Sequence, residues 1–168
     1  HELRPATVFN SANAYKLPDS KAATNGQVGI YYDYSSSARV YATLAQKSHL
    51  PTLKDRYSQR LGSYIENPNL ATERSVNYEV GYQATPWQGA KAQAAVFYSD
   101  TDNKIQSAFV GATGSSCNAT FKCQMQNIGK VRTSGVELGL NAFVSSALEV
   151  GSNYTYINLE NVSDPTVR

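Results

Sequence analysis

Lys54, Arg56, Tyr57, Arg60 and Tyr64 bring cations and aromatic rings together within one stretch of the chain. Guanidinium forks grip anions through paired hydrogen bonds, and aromatic faces attract cations and flat groups. The combination suits capture of an anionic ligand by charge and stacking, with Arg56, Tyr57, Arg60 and Tyr64 as the candidate contacts. The plainer alternative is a solvated loop with ordinary basic residues. A second pair, Cys117 and Cys123, encloses five residues in a Gly/Ser/Asn/Thr-rich stretch. A disulfide there contributes about 2 kcal/mol in the chain-entropy model and implies an oxidising compartment. Metal binding needs more ligands than this pair, and neither histidines nor an acidic cluster lie beside it, so neither metal nor cofactor is expected. Catalytic chemistry finds no residues to carry it: His1 and His49 are isolated, and both a Gly-x-Ser-x-Gly elbow and a phosphate-binding loop are missing. The chain reads as a non-enzyme. Asn118-Ala119-Thr120, Asn153-Tyr154-Thr155 and Asn161-Val162-Ser163 fit the glycosylation pattern by chance in so Asn/Thr-rich a sequence.

The elements that must position these residues are strands. Of the 168 residues, 17% are charged, against about 25% in soluble proteins, and 41% are hydrophobic with 12 tyrosines among them. A surface poor in charge, covered by Ser, Thr, Asn, Gln, Tyr and Gly, is that of a secreted β protein or an outer-membrane barrel. The net charge of +2 gives no basis for nucleic-acid binding. Length predicts one domain. No apolar run reaches the roughly 20 residues of a membrane-spanning helix. His1-Glu2-Leu3-Arg4-Pro5 lacks the character of an export signal, so an exported protein is expected to be represented here by a mature or excised piece.

Alternation with period two marks the strands. Residues 1–26 read mostly as loop, with a short strand near Thr7–Phe9. Strands are expected across 27–158. Val28, Ile30, Tyr32 and Tyr34 share one face; Val40, Ala42 and Leu44 follow after a Ser35-Ser36-Ser37 turn. Val76, Tyr78, Val80, Tyr82 and Ala84 precede the Pro86-Trp87-Gln88-Gly89 turn, and Ala92, Ala94, Val96 and Tyr98 follow it. Lys104–Val110 and Gln124–Ile128 read as weaker strands around Gly129-Lys130, a bulge candidate. Val136, Leu138 and Leu140, then Leu148, Val150, Tyr154 and Tyr156, close the series around Ser145-Ser146. Leu50–Tyr57 carries the one helix signal, with Pro51 expected in its first turn. Short turns near 35–37, 86–89 and 145–146 alternate with long polar loops near 46–72 and 102–123. In an antiparallel meander the turns therefore gather at one end of the sheet and the loops at the other, as in outer-membrane barrels.

One face of each strand is Val, Ile, Leu, Ala and Tyr; the other holds Arg39, Glu79, Lys91, Glu137 and Glu149. A Lys or Arg facing lipid costs about 2–4 kcal/mol at mid-depth, and a single register avoids that cost at every one of these positions. Alanines on the apolar face are harmless against acyl chains, and tyrosines toward strand ends (Tyr34, Tyr82, Tyr98, Tyr154, Tyr156) suit an interfacial girdle. The rival is a soluble secreted β-sandwich whose apolar face packs on a second sheet.

Asn67-Pro68-Asn69-Leu70 running into Glu73-Arg74-Ser75-Val76-Asn77-Tyr78-Glu79-Val80-Gly81 resembles the loop-to-strand segment of TonB-dependent receptors. Arg39-Val40-Tyr41-Ala42-Thr43 with Pro51-Thr52-Leu53-Lys54-Asp55-Arg56-Tyr57, and Asn127-Ile128-Gly129-Lys130 with Gly135-Val136-Glu137-Leu138, resemble further stretches of that family, in the expected order from Gln27 to Tyr156. The resemblance implies an all-β chain: about six antiparallel up-and-down strands of a larger transmembrane β-barrel in the bacterial outer membrane, with no plug domain in residues 1–168. It implies import of a ferric siderophore or similar chelate, with external loops contributing to capture, and the cations and aromatics of 46–72 suit an anionic, a catecholate-bearing or a hydroxamate-bearing iron chelate alike. The expected partners are the rest of the barrel and its plug, outer-membrane lipid, the iron chelate, and TonB acting through the plug. A passive porin and an adhesin or autotransporter barrel are the alternatives. An isolated sheet with two free edges and an open apolar face is expected to self-associate.

Overall fold

The computed structural model describes residues 21–163, so the strand expected near Thr7–Phe9 lies outside the described residues. Six long strands form one antiparallel sheet: β1 (Gly26–Ser35), β2 (Ala38–His49), β4 (Glu73–Ala84), β5 (Ala90–Asp102), β8 (Val131–Ser145) and β9 (Leu148–Asn161). They lie in the order β1-β2-β4-β5-β8-β9. The expected meander is present, and the sheet is open, with β1 and β9 as its edges. A second sheet pairs β3 (Tyr64–Ile65), β7 (Cys123–Asn127) and β6 (Ile105–Phe109), with β3 parallel to β7. Among the described residues one short α-helix, α1 (Leu53–Tyr57), and a 3-10 turn at Arg60–Gly62 belong to the first long connection.

Register explains the two faces. Ile30, Ala42, Val80, Val96, Val136 and Tyr156 stand opposite one another in a continuous row across all six strands. Tyr32, Val40, Tyr82, Ala94, Leu138 and Tyr154 form the next row, and Val28, Leu44, Tyr78 and Tyr98 flank the first row on its other side. From Ala38 to Leu44 this band rises about 20 Å along the strand, near the ~25 Å apolar belt of an outer-membrane barrel. These residues are open: Ile30 is 73% exposed, Val80 57% and Val96 54%. The buried apolar residues of the described chain are few and mostly small, with Ala45, Ala90 and Ala142 among them. A sheet with so little core depends on the solvent at its apolar face.

The opposite face is polar and concave, lining a shallow groove near the short turns that includes Asp33, Arg39, Gln83, Lys91, Gln93 and Asn141. Arg39 pairs with Asp33 and lies 5.7 Å from the Tyr31 ring, which stacks on Tyr41 at 5.9 Å. The Tyr41 hydroxyl donates to Glu79. Gly81 and Gly135 serve close approach on this face: a Cβ at Gly81 would collide with the Tyr41 ring, and one at Gly135 with the Phe97 ring and the Tyr156 carbonyl. Tyrosine pairs bracket the apolar band, with Tyr34 stacked on Tyr82 toward the short turns and Tyr78 against Tyr98 toward the loops. Tyr156 departs from the girdle expectation, because register places it in the middle row.

Strand ends differ from the sequence reading for one reason. β2 continues through Gln46-Lys47-Ser48 to His49 opposite Glu73, and β5 through Asp100 to Asp102, where alternation has stopped. Above the apolar band both faces meet water, so hydrogen-bonded ladders persist without an apolar side. The helix also starts later than expected. Thr52 is its N-cap, accepting from the Asp55 N–H while the Asp55 carboxylate accepts from the Thr52 N–H, which leaves Pro51 just outside.

Candidate loop site above the sheet

The two long connections, 50–72 between β2 and β4 and 103–130 between β5 and β8, emerge at the same end of the sheet and fold onto each other. Turn-rich sequence leaves backbone groups without ladder partners, and side-chain amides and carboxylates supply them. The Asn127 amide holds both loops: its Oδ1 accepts from the Ala71 N–H at 2.8 Å, and its Nδ2 donates to the carbonyls of Ala71 and Asn103. Asn67 Nδ2 donates to the Met125 carbonyl at 2.8 Å, and Gln124 Nε2 to that of Glu66 at 2.9 Å. Glu73, at the foot of β4, accepts from Lys104 Nζ at 2.9 Å and from the Ile105 N–H at 3.0 Å, fixing the start of β6. Leu70, the residue before Ala71, is fully buried. The Asn-Pro-Asn-Leu run and the Asn-x-Gly run, far apart in sequence, are thus two halves of one junction.

A disulfide joins Cys117 to Cys123, and Cys123 is buried where β7 meets both β3 and β6. The bond ties the tip of the β6–β7 hairpin back to its own strand. Ser107 Oγ lies 3.8 Å from Cys117 Sγ and 2.9 Å from the Tyr64 hydroxyl, so the hairpin also orients Tyr64.

The candidate contacts separate in space. Arg56 is buried, 5% exposed, and its Nε has no hydrogen-bond partner among the described residues. Tyr57, beside it at the end of α1, is half-buried. Lys54 is exposed on the helix. Arg60 and Tyr64 are brought together, the guanidinium lying 4.4 Å from the ring centroid. The backbone turn that achieves this runs left-handed through Arg60 (φ 41), Leu61 (φ 58) and Gly62 (φ 87) and leaves Leu61 fully exposed. No acid among the described residues forms an ion pair with Arg60; the Glu66 carboxylate accepts from Gln59 Nε2 at 2.8 Å. In α1, burial raises the Asp55 carboxyl while bonds from the Thr52 hydroxyl and N–H together lower it by more, leaving a net depression that keeps the α1 cap charged. At the second loop's foot Lys130 is held above the ordinary lysine range, chiefly by its hydrogen bond to Asp100 at 2.8 Å.

Sequence reasoning missed Asn67, Glu73, Ser107 and Asn127 as the residues that build the site. A signal existed, since Asn67, Glu73 and Asn127 fall within the motif stretches, but their roles depend on a pairing between distant loops. Among the described residues no group of His, Cys, Asp and Glu is placed to hold a metal ion.

Comparison with known proteins returns one architecture. A family model described as TonB dependent receptor-like, beta-barrel matches residues 5–167. The iron-regulated outer membrane virulence protein of Vibrio cholerae is 28% identical over 111 residues, covering 61% of this chain and 16% of that protein. Among solved structures, the copper transporter OprC superposes with a TM-score of 0.66 at 19% identity, over 84% of this chain and 21% of its own. The siderophore receptor PirA from Pseudomonas aeruginosa gives 0.65 at 24%, over 80% and 25%. The ferric enterobactin receptor PfeA gives 0.60 at 20%, over 80% and 22%. The chain therefore spans a sixth to a quarter of the length of the proteins it is similar to.

Proposed function

We propose a function on one premise: the chain belongs to the TonB-dependent receptor-like β-barrel family and to the bacterial outer membrane. The family is one of transport receptors and not an enzyme class. On that footing the chain supplies part of the wall and two external loops of a receptor that imports a ferric siderophore or a similar metal chelate. The loops capture the chelate, the plug and remaining barrel strands of the intact protein close the lumen, and energy arrives from TonB through the plug. Lipid covers the Ile30-to-Tyr156 face.

The observation that supports this reading best is the joint between the two loops. A passive pore has no need to fold its external connections into a second sheet, fix them with a disulfide and leave Arg60 without a counter-charge among the described residues at an exposed turn. The test is uptake of radiolabelled ferric chelate by iron-starved cells. Deletion of the gene is expected to abolish uptake, and deletion of TonB to do the same. Uptake that survives loss of TonB would identify a passive pore, and normal uptake without the gene would discard the reading.

A further inference from the structure

Arg60 is held in an unusual way for a surface arginine. A left-handed conformation costs a residue with a Cβ roughly 1–2 kcal/mol, and Arg60 and Leu61 both adopt it. The turn is nevertheless closely bonded. The N–H groups of Gly62 and Tyr64 both donate to the Gln59 carbonyl at 2.9 Å, and the Ser63 hydroxyl donates to the Arg60 carbonyl at 2.7 Å. The consequence is to turn the Arg60 guanidinium back over Tyr64, whose hydroxyl is fixed by Ser107 on the neighbouring hairpin. The guanidinium carbon thus lies over the ring, 4.4 Å from its centroid. Arg60 is exposed, and its charge is not neutralised by any ion pair among the described residues.

We propose that Arg60 and Tyr64 form a stacking platform that selects chelates whose iron-binding arms are catecholates over those whose arms are hydroxamates. This rests on the chelate-import reading above and names the ligand class within it. A stacked guanidinium is a flat cation whose free side accepts another flat, electron-rich ring, and its edge N–H groups donate to oxygens in the ring plane. A catecholate meets both requirements: it is an aromatic ring carrying two adjacent anionic oxygens, and its tris-complex with ferric iron is a trianion. A hydroxamate has no ring, and its tris-complex is neutral. Charge and stacking therefore favour the same class. Leu61, at the tip of the turn, adds an apolar contact for the ring edge.

The experiment titrates the purified intact receptor in detergent, read by quenching of its intrinsic fluorescence. One probe is the ferric tris-complex of a dihydroxybenzamide, the other that of acetohydroxamate. The catecholate is expected to bind about tenfold tighter or more, the range of one desolvated cation–π contact. Arg60→Gln and Tyr64→Leu should each remove most of that advantage and leave hydroxamate binding unchanged. Tyr64→Phe, which keeps the ring, should retain it, and Arg60→Lys, which keeps charge without the plane, should fall between. Equal affinity for the two probes, or Arg60 variants that still discriminate like the parent, would overturn the platform while leaving chelate import intact. Binding of neither probe, in a receptor whose deletion leaves iron uptake normal, would overturn the import reading itself.

Discussion

The six-stranded wall and the loop unit above it are both β-structure, yet they hold together by opposite means. In the wall, backbone ladders run the length of every strand and the side chains point away from one another, one set to a polar groove, the other to an open apolar face. In the loop unit the ladders are short, as with the two residues of β3, and side chains take over: Asn127, Asn67 and Gln124 bond backbone groups of the opposite loop, Glu73 reaches from the end of β4 to the Ile105 N–H, and a covalent bond closes the hairpin. The wall's integrity is therefore a property of its surroundings. The loop unit carries its integrity within itself.

The largest effect that separates the two is removal of the surroundings. In size-exclusion chromatography with light scattering, the isolated chain should be a small, defined species in detergent and a broad aggregate without it. A detergent-free monomer would mean that the apolar face is covered within the chain and would erase the contrast. Next in size, Val96→Lys in the middle of the apolar row should cost about 2–4 kcal/mol in bilayer folding titrations of the intact receptor. Asn153→Lys, on the polar face, should cost little; equal costs would show that the faces are misassigned. In the loop unit, Asn127→Ala strands three backbone partners and should cost about 1–3 kcal/mol. Hydrogen exchange should speed up at residues 71 and 105–109 with the wall strands unchanged. The smallest effect is acid fraying of α1. Because the Asp55 carboxyl is depressed in the folded chain, its contribution is full above the ordinary carboxylate value and fades as pH falls through the folded one. Thr52→Ala, worth about 1 kcal/mol, should mimic that loss at neutral pH in exchange at the first α1 amides.

The same contrast explains what the sequence made legible. Val28-x-Ile30-x-Tyr32 and its counterparts announce the wall because lipid on one side and water on the other impose alternation, and that environment is written into each strand separately. Where the environment is the same on both sides, as at Gln46–His49 and Asp100–Asp102, the ladder continues without a pattern to reveal it. The loop unit is less legible still. Tyr64 pairs with Cys123 in parallel across a long stretch of intervening chain, and nothing local to either residue specifies the partner. Arg60 and Tyr64 were readable as types suited to anion capture. Their juxtaposition depends on a left-handed turn, which a non-glycine sequence such as Gln59-Arg60-Leu61 conceals, and the burial of Arg56 depends on how the loops fold around it.

The junction at Asn127 also governs mechanics. Its amide bridges the end of one loop to the start of the other, and Glu73 anchors the same start from the wall. Neither loop can swing without breaking these bonds or carrying its neighbour along. Displacement of one loop would therefore carry the other with it, so the pair behaves as one plate and not as two independent arms.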